Sequence, residues 1–292
     1  MNKIKDYLQL VKLSLSIMVV FSSVISYLLA PGIVEYEWGM IGLLFAGGML
    51  VTGSANAINQ VVEKDTDALM KRTAKRPVAA GRMSVAEGWA FAIITGAAGV
   101  FILGNYFNWL SAGLAAFSLF LYAFIYTPLK KVNSIAVLVG AIPGALPCLI
   151  GWAAGDDRLS TGGWVLFALQ FLWQFPHFWA IAWISHTDYS AAGFKLLPSE
   201  KGPTRFTAMQ TVIYSLLLLP VSLLPFFTGM CAYDDVKGML GLILVVLANF
   251  FMIIRCVRLY QQMDTGSARR VMFGSYLYLP VVLLALLMSK VG

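Results

Sequence analysis

Asn59, Glu63 and Asp67 recur every four residues in the segment Asn59-Gln60-Val61-Val62-Glu63-Lys64-Asp65-Thr66-Asp67. Read as helix, that spacing aligns three oxygen-bearing side chains on one face with little angular drift. Carboxylate and amide oxygens suit Mg2+, which is usually held by a few carboxylates together with substrate phosphates. The row therefore predicts a cradle for a metal and a diphosphate. Arg72 and Arg76 follow closely, and a guanidinium binds phosphate oxygens bidentately and can neutralise a departing diphosphate. The competing reading is a solvated loop whose charges mark a membrane surface. Against it, Asn59 and Glu63 come straight off an apolar run, where polar groups are expensive and tend to be functional.

A second group lies at Trp173-Gln174-Phe175-Pro176-His177-Phe178-Trp179, followed by His186, Asp188, Tyr189, Lys195 and Lys201. A glutamine and a histidine inside an apolar helix need partners, and Pro176 frees a backbone carbonyl that can line a cavity. His177 could bind a haem iron, orient a substrate or act as a base. It could equally be a hydrogen-bonded histidine between helices, and the aromatic residues an interfacial belt. Asp188, the carboxylate nearest the start of the following loop, is the natural donor to a second metal. His186, at the end of the same run, reads as a solvated histidine.

These groups must be positioned by helices that cross a bilayer. The 292 residues are 59% hydrophobic and 12% charged, too apolar and too poorly charged for a water-soluble domain. Apolar runs long enough to span the hydrocarbon core fall near 13–30, 39–61, 86–104, 109–127, 135–154, 163–184, 207–228, 238–256 and 271–289. The expected fold is an all-α, polytopic membrane helical bundle of about nine transmembrane helices. The first run follows Lys3, Lys5, Asp6 and Lys12 with no cleavage pattern after it, so it is expected to be a retained helix. The fifth contains Gly140, Pro143, Gly144, Ala145, Pro147 and Gly151. That composition suits either close helix packing or kinks around a cavity. Cys148, Cys231 and Cys256 are too dispersed for a metal knuckle or redox pair and read as apolar filler.

With nine spans the connecting segments alternate sides. Of 21 Lys and Arg, only Arg158, Lys237 and Lys290 fall on the face opposite the N-terminus. The positive-inside rule then predicts a multi-pass protein of the cytoplasmic (inner) membrane, with the N-terminus in the cytoplasm and the C-terminus outside. The same distribution explains the net charge of +7 without nucleic acid as a partner. The loops after the second and sixth runs, the longest polar stretches, are where chemistry is expected.

Asn59-x-x-x-Glu63-x-x-x-Asp67 with Arg72-Thr73 and Arg76-Pro77 resembles the first acidic motif of the UbiA-type intramembrane prenyltransferases. The stretch Gly140 to Trp152, Trp173-Gln-x-Pro-His177, and Asp188-Tyr189 running on to Leu197-Pro198 resemble the branch of that family that farnesylates protohaem IX. The resemblance covers nearly the whole chain, which is expected to form a single transmembrane prenyltransferase domain over 1–292. It implies a central cavity, Mg2+ as cofactor, farnesyl diphosphate and haem B as substrates, and haem O and diphosphate as products. It further implies Asn59, Glu63, Asp67 and Asp188 as metal donors, and Asn59, Glu63, Asp67, Arg72 and Arg76 as the catalytic set. Arg72, Arg76, Tyr189 and Lys201 would hold diphosphate, and Trp173, Gln174 and His177 would line the haem pocket. A haem A synthase or terminal oxidase assembly would receive the product. Glu63 stands where many members have Asp, keeping an oxygen ligand with a longer reach. Asp188 has no acid four residues later, where many non-haem members have one. The alternatives are a prenyltransferase acting on a quinone-ring precursor, which gives Trp173 and His177 no special task, and a haem-binding membrane transporter.

Overall fold

The computed structural model describes residues 3–199 and 201–291. It is a helical bundle, and among those residues the only β pairing is an isolated bridge between Cys231 and Lys290. The helices are α1 (Lys3–Leu10), α2 (Leu13–Leu29), α3 (Trp38–Val62), α4 (Lys64–Leu69), α5 (Val85–Tyr106), α6 (Trp109–Phe120) and α7 (Thr127–Leu129). There follow α8 (Ala136–Asp156), α9 (Thr161–Ile184), α10 (His186–Ala191), α11 (Arg205–Phe227), α12 (Val236–Gln262) and α13 (Thr265–Met288). Among the described residues eight spans are long and apolar enough to cross a membrane, α6 and α7 together forming one, and α1 with α2 makes up to a ninth, bent by 46°. Lys12 provides the bend by adopting a left-handed backbone (φ 48°).

α8 is the centre of the bundle. Its spanning window is 78% buried, against 22% for α5 and 28% for α12, so α8 is wrapped by helices while the other two face lipid. Its glycines explain how. A Cβ at Gly151 would collide with the Ser23 carbonyl of α2, and one at Gly144 with the Gln174 amide of α9. Small residues thus let neighbouring backbones approach, the packing alternative for this stretch. Both prolines lie within a continuous helix. The Pro143 carbonyl, which Pro147 cannot bond, accepts from Ser118 Oγ at 3.3 Å.

One irregularity falls just past an apolar run and a second interrupts one. α3 ends at Val62 and Glu63 forms the junction to α4. The four-residue register nevertheless survives, because Glu63 N–H bonds to the Asn59 carbonyl at 3.0 Å and Asp67 N–H to that of Glu63 at 2.7 Å. Between α6 and α7, Leu121–Tyr126 widens into a π-helical turn, a feature often found at functional sites. Pro128 just beyond it has no N–H to continue an α-helical ladder. Thr127 closes the turn by donating both its N–H and its hydroxyl to the Tyr122 carbonyl.

The polar segments meet on one end of the bundle. Lys3 pairs with Glu87 and Arg82 with Asp6 at 2.8 Å each, tying the N-terminal helix to the segment after α4. At the opposite end Lys290 Nζ donates to the carbonyls of Leu28, Ala30 and Ile33. Lys290, one of the three basic residues expected on the far face, thus lies away from the ion pairs of the N-terminal end.

Candidate active site

At the polar end, α3 and α4 deliver Asn59, Glu63 and Asp67 to a common buried surface, with exposures of 2%, 6% and 0%. Asn59 Nδ2 donates to Glu63 Oε2 at 2.7 Å, and Lys12 Nζ donates to Asn59 Oδ1 at 3.3 Å. The bend at Lys12 is what brings that ammonium to the end of α3. Lys130 Nζ, from the end of α7, donates to Glu63 Oε1 at 2.9 Å. It also stands 4.6 Å over the Tyr126 ring of the π-turn, a cation–π contact that holds the charge among apolar groups. Arg76 Nη1 reaches both Asp67 oxygens, at 2.8 and 2.7 Å, while Thr73 Oγ1 anchors the loop on the Asp67 carbonyl. Burial pushes the Asp67 carboxyl above its ordinary range, opposed by the Arg76 charge and hydrogen bonds.

Two acids and an amide oxygen are therefore gathered with three cations. Among the described residues no three His, Cys, Asp or Glu side chains form a metal cage. The donor set suits Mg2+ all the same, since that ion takes one or two carboxylates and completes its shell from phosphate and water. Basic side chains set beside acids in this way suit a diphosphate and its metal.

Arg72 points to a different wall. Its Nη2 donates to the Tyr189 hydroxyl at 3.1 Å, and its guanidinium lies 5.7 Å from that ring's centre. The loop after α4 is thereby joined to α10. Asp188 stands half-buried in the first turn of α10, and Lys201 is exposed in the loop beyond; neither joins the ion pairs. His186, read from its position as solvated, is half-buried. Gly202, at φ 84°, lies across its ring, and His186 lines a cavity of about 420 Å3 with Asn133, Ser134, Tyr189 and Lys195.

The second group divides between two helix faces. Trp173 and His177, one turn apart, stack with ring centres 4.8 Å apart and planes 14° from parallel. Both hold α13 through one residue: Trp173 Nε1 donates to the Ser275 carbonyl at 2.9 Å, and His177 Nδ1 lies 2.7 Å from Ser275 Oγ. Gln174 faces the other way. Its amide donates to the Ala141 carbonyl of α8 at 2.9 Å, and Gln170 does the same to Gly144 at 2.8 Å, so these glutamines brace α8 against α9. Tyr276 adds a second α13 contact to this group, its ring meeting His177 edge-on at 5.0 Å.

Lys12, Lys130, Ser275 and Tyr276 are absent from the site residues that the sequence suggests. Lys130 had a usable signal: it follows Tyr126 by one helical turn at the end of an apolar run, the rule that picks out Asn59 and Glu63. Ser275 and Tyr276 had none, because serine and tyrosine are unremarkable in a spanning helix until its partner is known.

The family model described as UbiA prenyltransferase matches residues 19–279. The chain is 41% identical over 294 residues to the protoheme IX farnesyltransferase of Cytophaga hutchinsonii, covering 99% of each. It superposes on a digeranylgeranylglyceryl phosphate synthase with a TM-score of 0.78 at 19% identity, over 99% of both chains. A UbiA homologue from Archaeoglobus fulgidus bound to GPP and Mg2+ gives 0.68 at 16% identity, over 96% of this chain and 99% of that one.

Proposed function

Because the chain belongs to the UbiA prenyltransferase family, we propose that it is a multi-pass membrane protoheme IX farnesyltransferase, a single transmembrane domain making haem O. The carbon–oxygen bond of farnesyl diphosphate breaks, a carbon–carbon bond forms to a vinyl group of haem B, and water adds to the resulting cation. The products are haem O, bearing a hydroxyethylfarnesyl group, and diphosphate. The observation that carries this reading is that one bundle holds two buried polar constellations of different chemistry. One holds the acids and cations that suit a diphosphate, and the other an imidazole stacked on an indole, a setting that suits a flat macrocycle with a central iron.

Asn59, Glu63 and Asp67 would hold Mg2+, which supplies charge stabilisation to the leaving diphosphate. Asp188 is the donor that α10 offers to a second ion. Arg76 and Lys130 neutralise the acids and are the groups able to turn to phosphate oxygens, while Arg72, Tyr189 and Lys201 bound the same end. Preorganised cations of this kind stabilise charge as it develops. The apolar helices shelter the allylic cation from water until the vinyl group attacks. No nucleophilic side chain is required. Trp173 and His177 would position the haem, with Gln174 supporting their helix from behind. Conversion of haem B and farnesyl diphosphate by the purified protein tests the assignment.

The charge partition supports a site at the cytoplasmic face of the inner membrane. Reporter fusions are expected to put the N-terminus and the loop at 62–85 in the cytoplasm and the C-terminus outside. An external signal from that loop would overturn the orientation.

A further inference from the structure

Ser275 Oγ touches two atoms: the Met272 carbonyl oxygen at 2.6 Å and His177 Nδ1 at 2.7 Å. The hydroxyl has one proton, and a carbonyl oxygen can only accept. Were that proton directed at Nδ1, two oxygens would face each other at 2.6 Å with nothing between them. Both contacts are favourable in one arrangement alone: Ser275 donates to Met272, and His177 Nδ1–H donates to Ser275. An imidazolium would carry a second N–H on Nε2, for which no partner exists among the described residues, at a high cost in an apolar span. The ring is therefore neutral, and Nε2 carries the lone pair.

The rest of the pocket holds that state in place. Trp173 stacks on the imidazole and is itself fixed by the Ser275 carbonyl, so one residue of α13 orients both rings. Nε2, with no hydrogen-bond partner among the described residues, keeps its lone pair unclaimed. Metal-bound histidines generally donate their other N–H to an oxygen, which fixes the tautomer and raises ligand basicity.

Resting on the haem reading of this site, we infer that Ser275 is a positioning residue that holds His177 as the Nδ1–H tautomer and presents Nε2 to the iron of the haem substrate. The test uses the full chain in lipid nanodiscs with haem B and no farnesyl diphosphate. Haem affinity is measured by titration, and the iron–imidazole stretching band of the ferrous complex by resonance Raman. The native protein is expected to show the band. Ser275→Ala should lose about 10- to 100-fold in haem affinity and move the band to lower frequency, because the imidazole loses its acceptor. Ser275→Thr, whose hydroxyl can make the same helical bond, should keep both. Unchanged farnesyl diphosphate binding in Ser275→Ala would show that the bundle and the diphosphate end remain intact. Native affinity and an unshifted band in Ser275→Ala would overturn the inference. So would a native complex that forms haem O with no iron–imidazole band, and in that case the farnesyltransferase reading would stand. A native protein that neither binds haem B nor forms haem O would remove both.

Discussion

Asp67→Asn is expected to lower turnover by at least about 10³-fold, at the upper end of what removing one preorganised charge-stabilising group costs. The substitution keeps the shape of the side chain and removes the charge, so the loss is of metal and diphosphate stabilisation rather than of packing. Arg76, its partner, is 18% exposed in its side chain and can turn to water, so the variant should remain folded. Glu63→Gln should inactivate equally but destabilise more, because Lys130, with a side chain 10% exposed, is left beside a neutral group. A buried charge that loses its partner typically costs about 3–5 kcal/mol. The double variant Glu63→Gln with Lys130→Gln separates the two effects: thermal stability should recover and activity should not. Near-native turnover in Asp67→Asn, measured as diphosphate released at saturating substrates, would remove the cradle from the mechanism.

His177→Ala has the second largest expected effect, and on the other substrate. Haem affinity should fall by about 10- to 100-fold, with a changed absorption spectrum, while farnesyl diphosphate affinity stays within about twofold. The separation follows from geometry: His177 contacts Trp173, Ser275 and Tyr276 and none of the acids or cations at the ends of α3 and α7. Isothermal titration with each substrate alone checks it. Intact haem binding with impaired diphosphate binding would move the histidine to the ionisation step.

The spanning helices were legible because the bilayer imposes a length and a composition on each. The expected runs 86–104 and 163–184 lie within or near α5 (Val85–Tyr106) and α9 (Thr161–Ile184). The run 238–256 falls short of α12, which continues to Gln262, since a helix need not stop where its apolar pattern does. The break at Glu63 and the π-turn at Leu121–Tyr126 left no clear mark, having neither glycine nor proline within them. Local spacing brought out Asn59, Glu63 and Asp67 as a row. It could not show that Lys130, 67 residues beyond Glu63, neutralises it, because that pairing is made only when α3 and the π-turn pack together. Gln174 shows the same limit in reverse. Sequence placed it in the haem group with Trp173, but the 100° step from Trp173 to Gln174 carries its amide to the Ala141 carbonyl of α8.

The site is expected to join a farnesyl group to haem B. Purified protein supplied with isotopically labelled farnesyl diphosphate, Mg2+ and haem B, with a quinone-ring precursor in a parallel reaction, tests it by mass analysis of the products. The expected result is labelled haem O, carrying one farnesyl group and one added water, with diphosphate released in equal amount and the ring precursor unchanged. Prenylation of the ring precursor with haem B recovered intact would contradict the account.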